Sequence, residues 1–174
     1  MNTSARPDLS TLPPPAAVQQ LHHYAYKARD AEETRHFYED ILGLPLYHII
    51  QSDYVPSTGE YCPYTHFFFR LKDGSFIAFF DIGDDEKALP SPNTPLWINH
   101  IAFRVDTVEE LENTKARLVA HGIEVLGVTD HHIFKSIYFF DPNGIRLELS
   151  AQLADEVQML SLIHISEPTR QEAI

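Results

Sequence analysis

Cysteine is almost absent: Cys62 is the only one, which excludes an intrachain disulfide and a cysteine-based zinc site and makes a reducing cytoplasm the expected compartment. Positive charge is also scarce. With 13 Lys and Arg against 25 Asp and Glu the formal charge is -12, a balance that repels a phosphate backbone and an anionic bilayer surface, so neither nucleic acid nor membrane is an expected partner. No apolar run approaches the ~20 residues of a membrane span, and the start MNTSARPDLSTLPPPAAVQQ has no apolar core of the secretory type. What the chain does have is 44% hydrophobic and 11% aromatic residues over 174 positions, enough for one domain with a sizeable core or for two small modules that share one.

Residues 1–19, polar and with Pro13-Pro14-Pro15, read as a flexible N-terminal arm. Leu21–Ala28 reads as a strand. Asp30 followed by Glu33 marks a helix start, because an Asp N-cap satisfies free N–H groups and acidic residues suit the dipole. That helix carries Phe37, Tyr38, Ile41 and Leu42 at helical spacing and stops at Gly43. Leu44–Gln51 resumes as a strand, and Ser52–Tyr64, with Pro56, Gly59 and Pro63, reads as a loop, either a lid or a plain connector. Thr65–Leu71 and Phe76–Asp81 form a hairpin turning at Lys72-Asp73-Gly74-Ser75. The stretch 84–96, with Asp84-Asp85-Glu86 and three prolines, has linker character.

After the linker the pattern begins again. His23-Tyr24-Ala25-Tyr26-Lys27 stands against His100-Ile101-Ala102-Phe103-Arg104: histidine, large apolar, alanine, aromatic, base. Thr107 with Glu110 forms a capping box, Leu111, Lys115, Leu118 and Val119 continue a helix, and Gly122 ends it. Ile123–Val128 repeats the next strand, and Ser136–Phe140 with Ile145–Leu149 repeats the hairpin around Asp141-Pro142-Asn143-Gly144. Residues 20–83 and 97–151 are thus two βαβββ modules. Neither buries both faces of its sheet alone, which predicts an α+β fold of two paired modules with helices outside. Pairing within one chain and pairing across a homodimer are both open. The segment 152–174 begins as a short helix or tail and ends in LSLIHISEPTRQEAI, which matches no earlier pattern and resembles translated sequencing-adapter read-through. A non-native end is expected there, and His164 receives no role.

Strand alternation places Glu148 opposite Ile145, Leu147 and Leu149. For one isolated residue a solvated glutamate is the simpler reading. The repeat changes that reading: His23, Ala25 and Lys27 share a face, His100, Ala102 and Arg104 share the matching one, and Glu148 faces the same concave side. Two imidazoles and one carboxylate suit a divalent first-row metal and leave coordination positions open. The position matching Glu148 in the first hairpin is Ala78, so no fourth protein ligand is apparent and a closed structural site is disfavoured.

The stretches LHHYAYKARDAEETRHFYEDILGLPL, INHIAFRVDTVEEL and SIYFFDPNGIRLEL resemble the vicinal oxygen chelate superfamily over Leu21–Ala151. That superfamily includes glyoxalase I, extradiol ring-cleaving dioxygenases, fosfomycin-resistance transferases and bleomycin-binding proteins. The resemblance implies two paired modules forming a metal-binding cup, with the metal on His23, His100 and Glu148. Fe(II) is the expected ion, with Mn(II), Ni(II) and Zn(II) as alternatives. Glyoxalase I has a fourth ligand where Ala78 stands, bleomycin-binding relatives lack the triad, and the basic segment that follows the last ligand in fosfomycin transferases does not appear here. The dioxygenase pattern reads as His131, Ile137-Tyr138, Asp141-Pro142-Asn143-Gly144 and Glu148.

The resemblance therefore implies a dioxygenase, an oxidoreductase that takes dioxygen and a small catecholic or related aromatic substrate. It gives His131 or His132 as acid/base and Tyr138 as hydrogen-bond donor. One departure is the acid/base histidine that such enzymes carry at a place falling near Gly74-Ser75. Serine cannot replace imidazole as a proton shuttle near neutral pH, and His66 on the adjacent strand is the substitute candidate. Phe68, Phe76 and Phe80 are candidates to line an apolar pocket. The alternatives are a glyoxalase-like isomerase or lyase, and a drug-binding resistance protein without turnover.

Overall fold

Alternating side chains in HYAYK give strand β1 (His23–Lys27), and Asp30 caps helix α1 (Ala31–Arg35), its carboxylate accepting from the Glu33 N–H at 2.6 Å. The helix continues as a π-helical stretch, His36–Ile41. Gly43, at φ 77°, ends it in the left-handed conformation that costs glycine nothing. Strands β2 (Leu46–Tyr54), β3 (Tyr61–Arg70) and β4 (Phe76–Asp81) complete the first module. The second consists of β5 (Ile101–Val105), α2 (Val108–Ala120), β6 (Leu126–Asp130), β7 (Phe134–Phe140) and β8 (Arg146–Gln152). Helix α2 opens with the expected capping box, Thr107 Oγ1 accepting from Glu110 N at 3.1 Å and Glu110 Oε2 from Thr107 N at 3.1 Å.

The structure is a computed structural model that describes residues 13, 14, 16–88, 91 and 93–153. Most of the expected arm and the tail beyond Leu153, including His164, lie outside the described residues. Among the described residues no helix is long and apolar enough to cross a membrane. Ser52–Tyr64 differs from its expected loop. β2 runs on to Tyr54 and β3 starts at Tyr61, leaving only Val55–Glu60 as the hairpin tip. The rings of Tyr54 and Tyr61 meet at 5.3 Å, and this cross-strand aromatic pair sustains the ladder past the residues that suggested a loop.

The sheets have orders β1-β4-β3-β2 and β5-β8-β7-β6, with β1 parallel to β4, β5 parallel to β8, and the other pairs antiparallel. Their registers correspond. Ala25 lies beside Ala78 as Ala102 lies beside Glu148, and Phe68 faces Ala78 as Tyr138 faces Glu148. Ala78 thus holds the position of Glu148 in the first module.

Each sheet turns one face to a shared core. Phe67, Phe69, Ile77 and Phe79 of the first and Ile137, Phe139, Leu147 and Leu149 of the second join Phe37, Tyr38, Ile41, Leu111 and Leu118 from the helical segments in one contiguous cluster. Burying a side chain of this size is worth about 1.5–3 kcal/mol. Tyr38 packs on Phe69 and Phe79 with ring centroids at 5.2 and 4.9 Å, and Phe37 reaches Phe139 of the other module at 6.2 Å. The modules are therefore joined through their helix-bearing faces. The opposite face of each sheet, which carries the histidines, points away from this core.

A buried polar link ties the same junction. The Tyr38 hydroxyl donates to Asp141 Oδ2 at 3.0 Å, Asn143 Nδ2 donates to that oxygen at 3.1 Å and to Thr34 Oγ1 at 3.1 Å, and the Ile145 N–H donates to Asp141 Oδ1 at 2.7 Å. The turn that reverses β7 into β8 thereby also grips the first module's helix.

Candidate active site

On β8, period-two alternation sets Arg146, Glu148 and Ser150 on the histidine-bearing face, and on β7 it sets Ser136 and Tyr138 there. Glu148 is only 4% exposed. Its Oε1 accepts from the Ser136 hydroxyl at 2.5 Å, the Ser150 hydroxyl at 2.8 Å and the Tyr138 hydroxyl at 3.1 Å. Its Oε2 faces His100 Nε2 at 2.9 Å. Burial alone would raise the carboxyl, but the three donated hydrogen bonds and the His100 charge outweigh it and hold Glu148 below the usual glutamate range. Glu148 is accordingly an ionised carboxylate with one oxygen fixed and one presented.

His100 is fixed in the same manner. Its Nδ1 lies 2.8 Å from the Ile98 carbonyl oxygen. A carbonyl only accepts, so Nδ1 carries the hydrogen and Nε2 points at Glu148 with a lone pair or a second proton. With the Nε2 proton displaced, the imidazole nitrogen and the ionised carboxylate oxygen, each anchored from behind, are a donor pair that a divalent cation fits.

Tyr138 extends the arrangement, its hydroxyl lying 3.0 Å from His131 Nε2. Burial and the neighbouring Glu148 raise the Tyr138 phenol, so it stays protonated at neutral pH. His131, Tyr138 and Glu148 form a continuous hydrogen-bonded chain, with the His131 ring stacked on Phe134 at 4.6 Å. His132 takes no part. It is exposed, sits at φ 69°, and donates its N–H to Asp130 Oδ1 at 2.7 Å, the behaviour of a turn residue.

The matching face of the first module carries His23 and His66. The His23 ring lies 5.7 Å from Phe68 and 6.3 Å from His66, and its Nδ1 is 2.7 Å from that of His22. His66 is buried and stacks on Phe80 at 3.7 Å, with Nδ1 donating to the Phe79 carbonyl at 2.9 Å. Burial first, then the nearby His23 and His48, lowers its pKa despite that hydrogen bond. His66 is therefore a neutral imidazole whose Nε2 lone pair is unused by this contact. The structure thus gathers His100, Glu148, Tyr138 and His131 on one sheet and His23 and His66 on the other. Among the described residues no three His, Cys, Asp or Glu side chains of one chain converge as a metal-holding group.

Ser136 and Ser150 are the site residues the sequence reading missed. Ser136 lies two residues before Tyr138 and Ser150 two after Glu148, so both share their face, and this same-face spacing was the available signal. In the first module His66 faces Phe80 as Ser136 faces Ser150, so an aromatic stack stands where the second module has carboxylate-holding hydroxyls. Ser136→Ala should weaken divalent metal uptake about 10-fold to 100-fold, the usual cost of losing a group that orients a ligand. Competition with a chromogenic chelator measures this, and unchanged affinity would remove Ser136 from the site.

A family model described as the Glyoxalase/Bleomycin resistance protein/Dioxygenase superfamily matches residues 20–149. A putative ring-cleaving dioxygenase, MhqA, of Bacillus subtilis (strain 168) is 40% identical over 53 residues, which span 30% of this chain and 17% of that protein. The metallothiol transferase FosB of Lysinibacillus sphaericus (strain C3-41) is 26% identical over 139 residues, 75% of this chain and 81% of that protein. Among solved structures, a glyoxalase/dioxygenase from Nostoc punctiforme has a TM-score of 0.60 at 23% identity, covering 83% of this chain and 98% of its own. The fosfomycin resistance protein FosX from Listeria monocytogenes has 0.59 at 22%, covering 83% and 99%. At these identities the two structures speak for the fold alone.

Proposed function

Because the chain belongs to the glyoxalase/bleomycin resistance/dioxygenase superfamily, we propose that it is a metal-dependent dioxygenase of the extradiol ring-cleaving type acting on a small catecholic or related aromatic substrate. The observation that carries this reading is the chain from Glu148 Oε1 through the Tyr138 hydroxyl to His131 Nε2, at 3.1 and 3.0 Å, which links the anchored carboxylate to an imidazole able to pass a proton.

His100 and Glu148 would hold the metal from one chain, and His23 would complete the set from the first module of a second copy. The exposure of His23 and His100, on sheet faces that point away from the shared core, supports this exchange. Fe(II) is the ion proposed, with Mn(II), Ni(II) or Zn(II) as alternatives. When bound, it would supply Lewis-acid binding of the substrate's vicinal oxygens and activation of dioxygen. His66 enters with His23, and its Nε2 accepts the proton of a substrate hydroxyl. On substrate binding the Tyr138 hydroxyl turns its one proton from Glu148 to a substrate oxygen, and His131 resupplies protons through it. Phe68 and Phe80 exclude water around an aromatic ring.

The longer match to FosB favours a second reading, a metal-dependent thiol transferase built on the same residues. Anaerobic Fe(II) loading followed by oxygen-electrode and absorbance assays over a catechol panel separates the two. Oxygen uptake with a coloured ring-cleavage product is expected. Metal binding without oxygen uptake, together with thiol transfer or turnover of a 2-oxoaldehyde adduct, would overturn the dioxygenase proposal.

A further inference from the structure

Beside His100, between the linker and the start of the second sheet, lies a cavity of about 780 Å³. Tyr24 and Tyr26 of β1 form one wall, their rings stacked at 5.1 Å and 30°, and Phe140 at the end of β7 forms part of another. Lys87 and Arg146 also line it, and among the described residues no Asp or Glu does. That is a marked bias in a chain with 25 acidic and 13 basic residues. Among the described residues neither Lys87 nor Arg146 is engaged in an ion pair.

Arg146 joins the cavity to the candidate active site. It precedes Glu148 by two residues on the same face of β8, its guanidinium lies 4.4 Å from the centre of the Tyr138 ring, and one of its nitrogens donates to the Trp97 carbonyl. This stack and single hydrogen bond fix the plane of the group and leave further N–H donors for a bidentate acceptor. The lining mixes aromatic and apolar side chains with polar ones, Ser91, Thr94 and Asn99, several of them exposed, so an anion bound there is selected by charge-assisted partners.

We infer that the cavity receives the carboxylate of an aromatic acid: Arg146, aided by Lys87, binds the anionic arm of the substrate, and the Tyr24–Tyr26 pair and Phe140 pack along that arm, with the diol directed to His100 and Glu148. This assignment of substrate class rests on the dioxygenase reading for the diol end only. Arg146 is a specificity residue that touches substrate at a distance from the reacting atoms.

The test is calorimetric titration of the metal-free full-length protein with 3,4-dihydroxyphenylacetate and with neutral 4-methylcatechol. The fluorescence of Trp97, the chain's one tryptophan, serves as a second readout. The acid should bind at least about tenfold more tightly, as expected for a charge-assisted pair. Arg146→Met should erase that preference without changing the neutral compound, and Arg146→Lys should restore part of it. Equal affinity for the two compounds, no binding of either at millimolar concentration, or an equal loss for both in Arg146→Met would overturn the proposal. No metal or turnover enters the measurement, so a failed oxygen assay leaves it standing, and oxygen uptake without acid preference removes the cavity assignment alone.

Discussion

Glu148→Gln should lower divalent metal affinity by more than about 100-fold and abolish turnover with it. The magnitude follows from the anchoring. Losing one group that merely orients a ligand costs about 10-fold to 100-fold, and Glu148 is the group those hydroxyls orient. Glutamine keeps the shape and can still accept from Ser136 at its carbonyl oxygen. It presents an uncharged amide to His100, however, and so removes the negative charge that a cation requires. Chelator competition and metal analysis of the purified variant measure the effect, while circular dichroism establishes that the sheet persists. A variant that takes up metal like the parent would remove Glu148 from the ligand set.

Asp141→Asn should destabilise the protein more in acid than at neutral pH, by about 2 kcal/mol between pH 4.5 and pH 7. Burial pushes the Asp141 carboxyl up from 3.8 to about 6, against the hydrogen bonds it accepts from Ile145, Asn143 and Tyr38. A carboxyl with a raised folded-state pKa binds its proton more tightly in the folded chain. Its contribution is therefore complete below about 3.8 and is lost as pH rises through about 6. Asparagine cannot titrate, so the difference between the two proteins isolates this slope from the histidines and from Glu148, whose lowered pKa acts below the usual glutamate range. Urea midpoints at the two pH values give the comparison. A substitution cost that does not vary with pH would mean that Asp141 is ionised throughout.

Much of this architecture can be read from the residues. The histidine-x-alanine-aromatic-base repeat, the caps at Asp30 and Thr107 and the stops at Gly43 and Gly122 are local signals, and local hydrogen bonding and backbone geometry satisfy them. Period-two alternation likewise assigns His23, His100 and Glu148 to corresponding faces, and the equal spacing of Ala78 and Glu148 from their turn glycines anticipates the register. Ser136 and Ser150 were hidden because a strand serine is ordinarily a solvated residue, and only the register across β7 and β8 reveals a shared carboxylate. Asp141 and Asn143 were read as turn formers. They do form the turn, and nothing local in the sequence says that the same atoms also hold Tyr38 and Thr34 of the other module. Alternation could not tell which surface each histidine-bearing face meets, because it fixes a face and says nothing about the partner.

The exchange of modules between two copies is the claim on which the site depends. His23→Ala and Glu148→Ala chains, each unable to hold the metal, can be mixed, unfolded and refolded together, and the bound metal then counted anaerobically. With His23 supplied by a second copy, each mixed dimer contains one intact site, so a statistical mixture should recover about a quarter of the wild-type metal capacity. If the three ligands came from a single chain, every site would carry one of the substitutions, and a mixture holding no more metal than either variant alone would contradict the account.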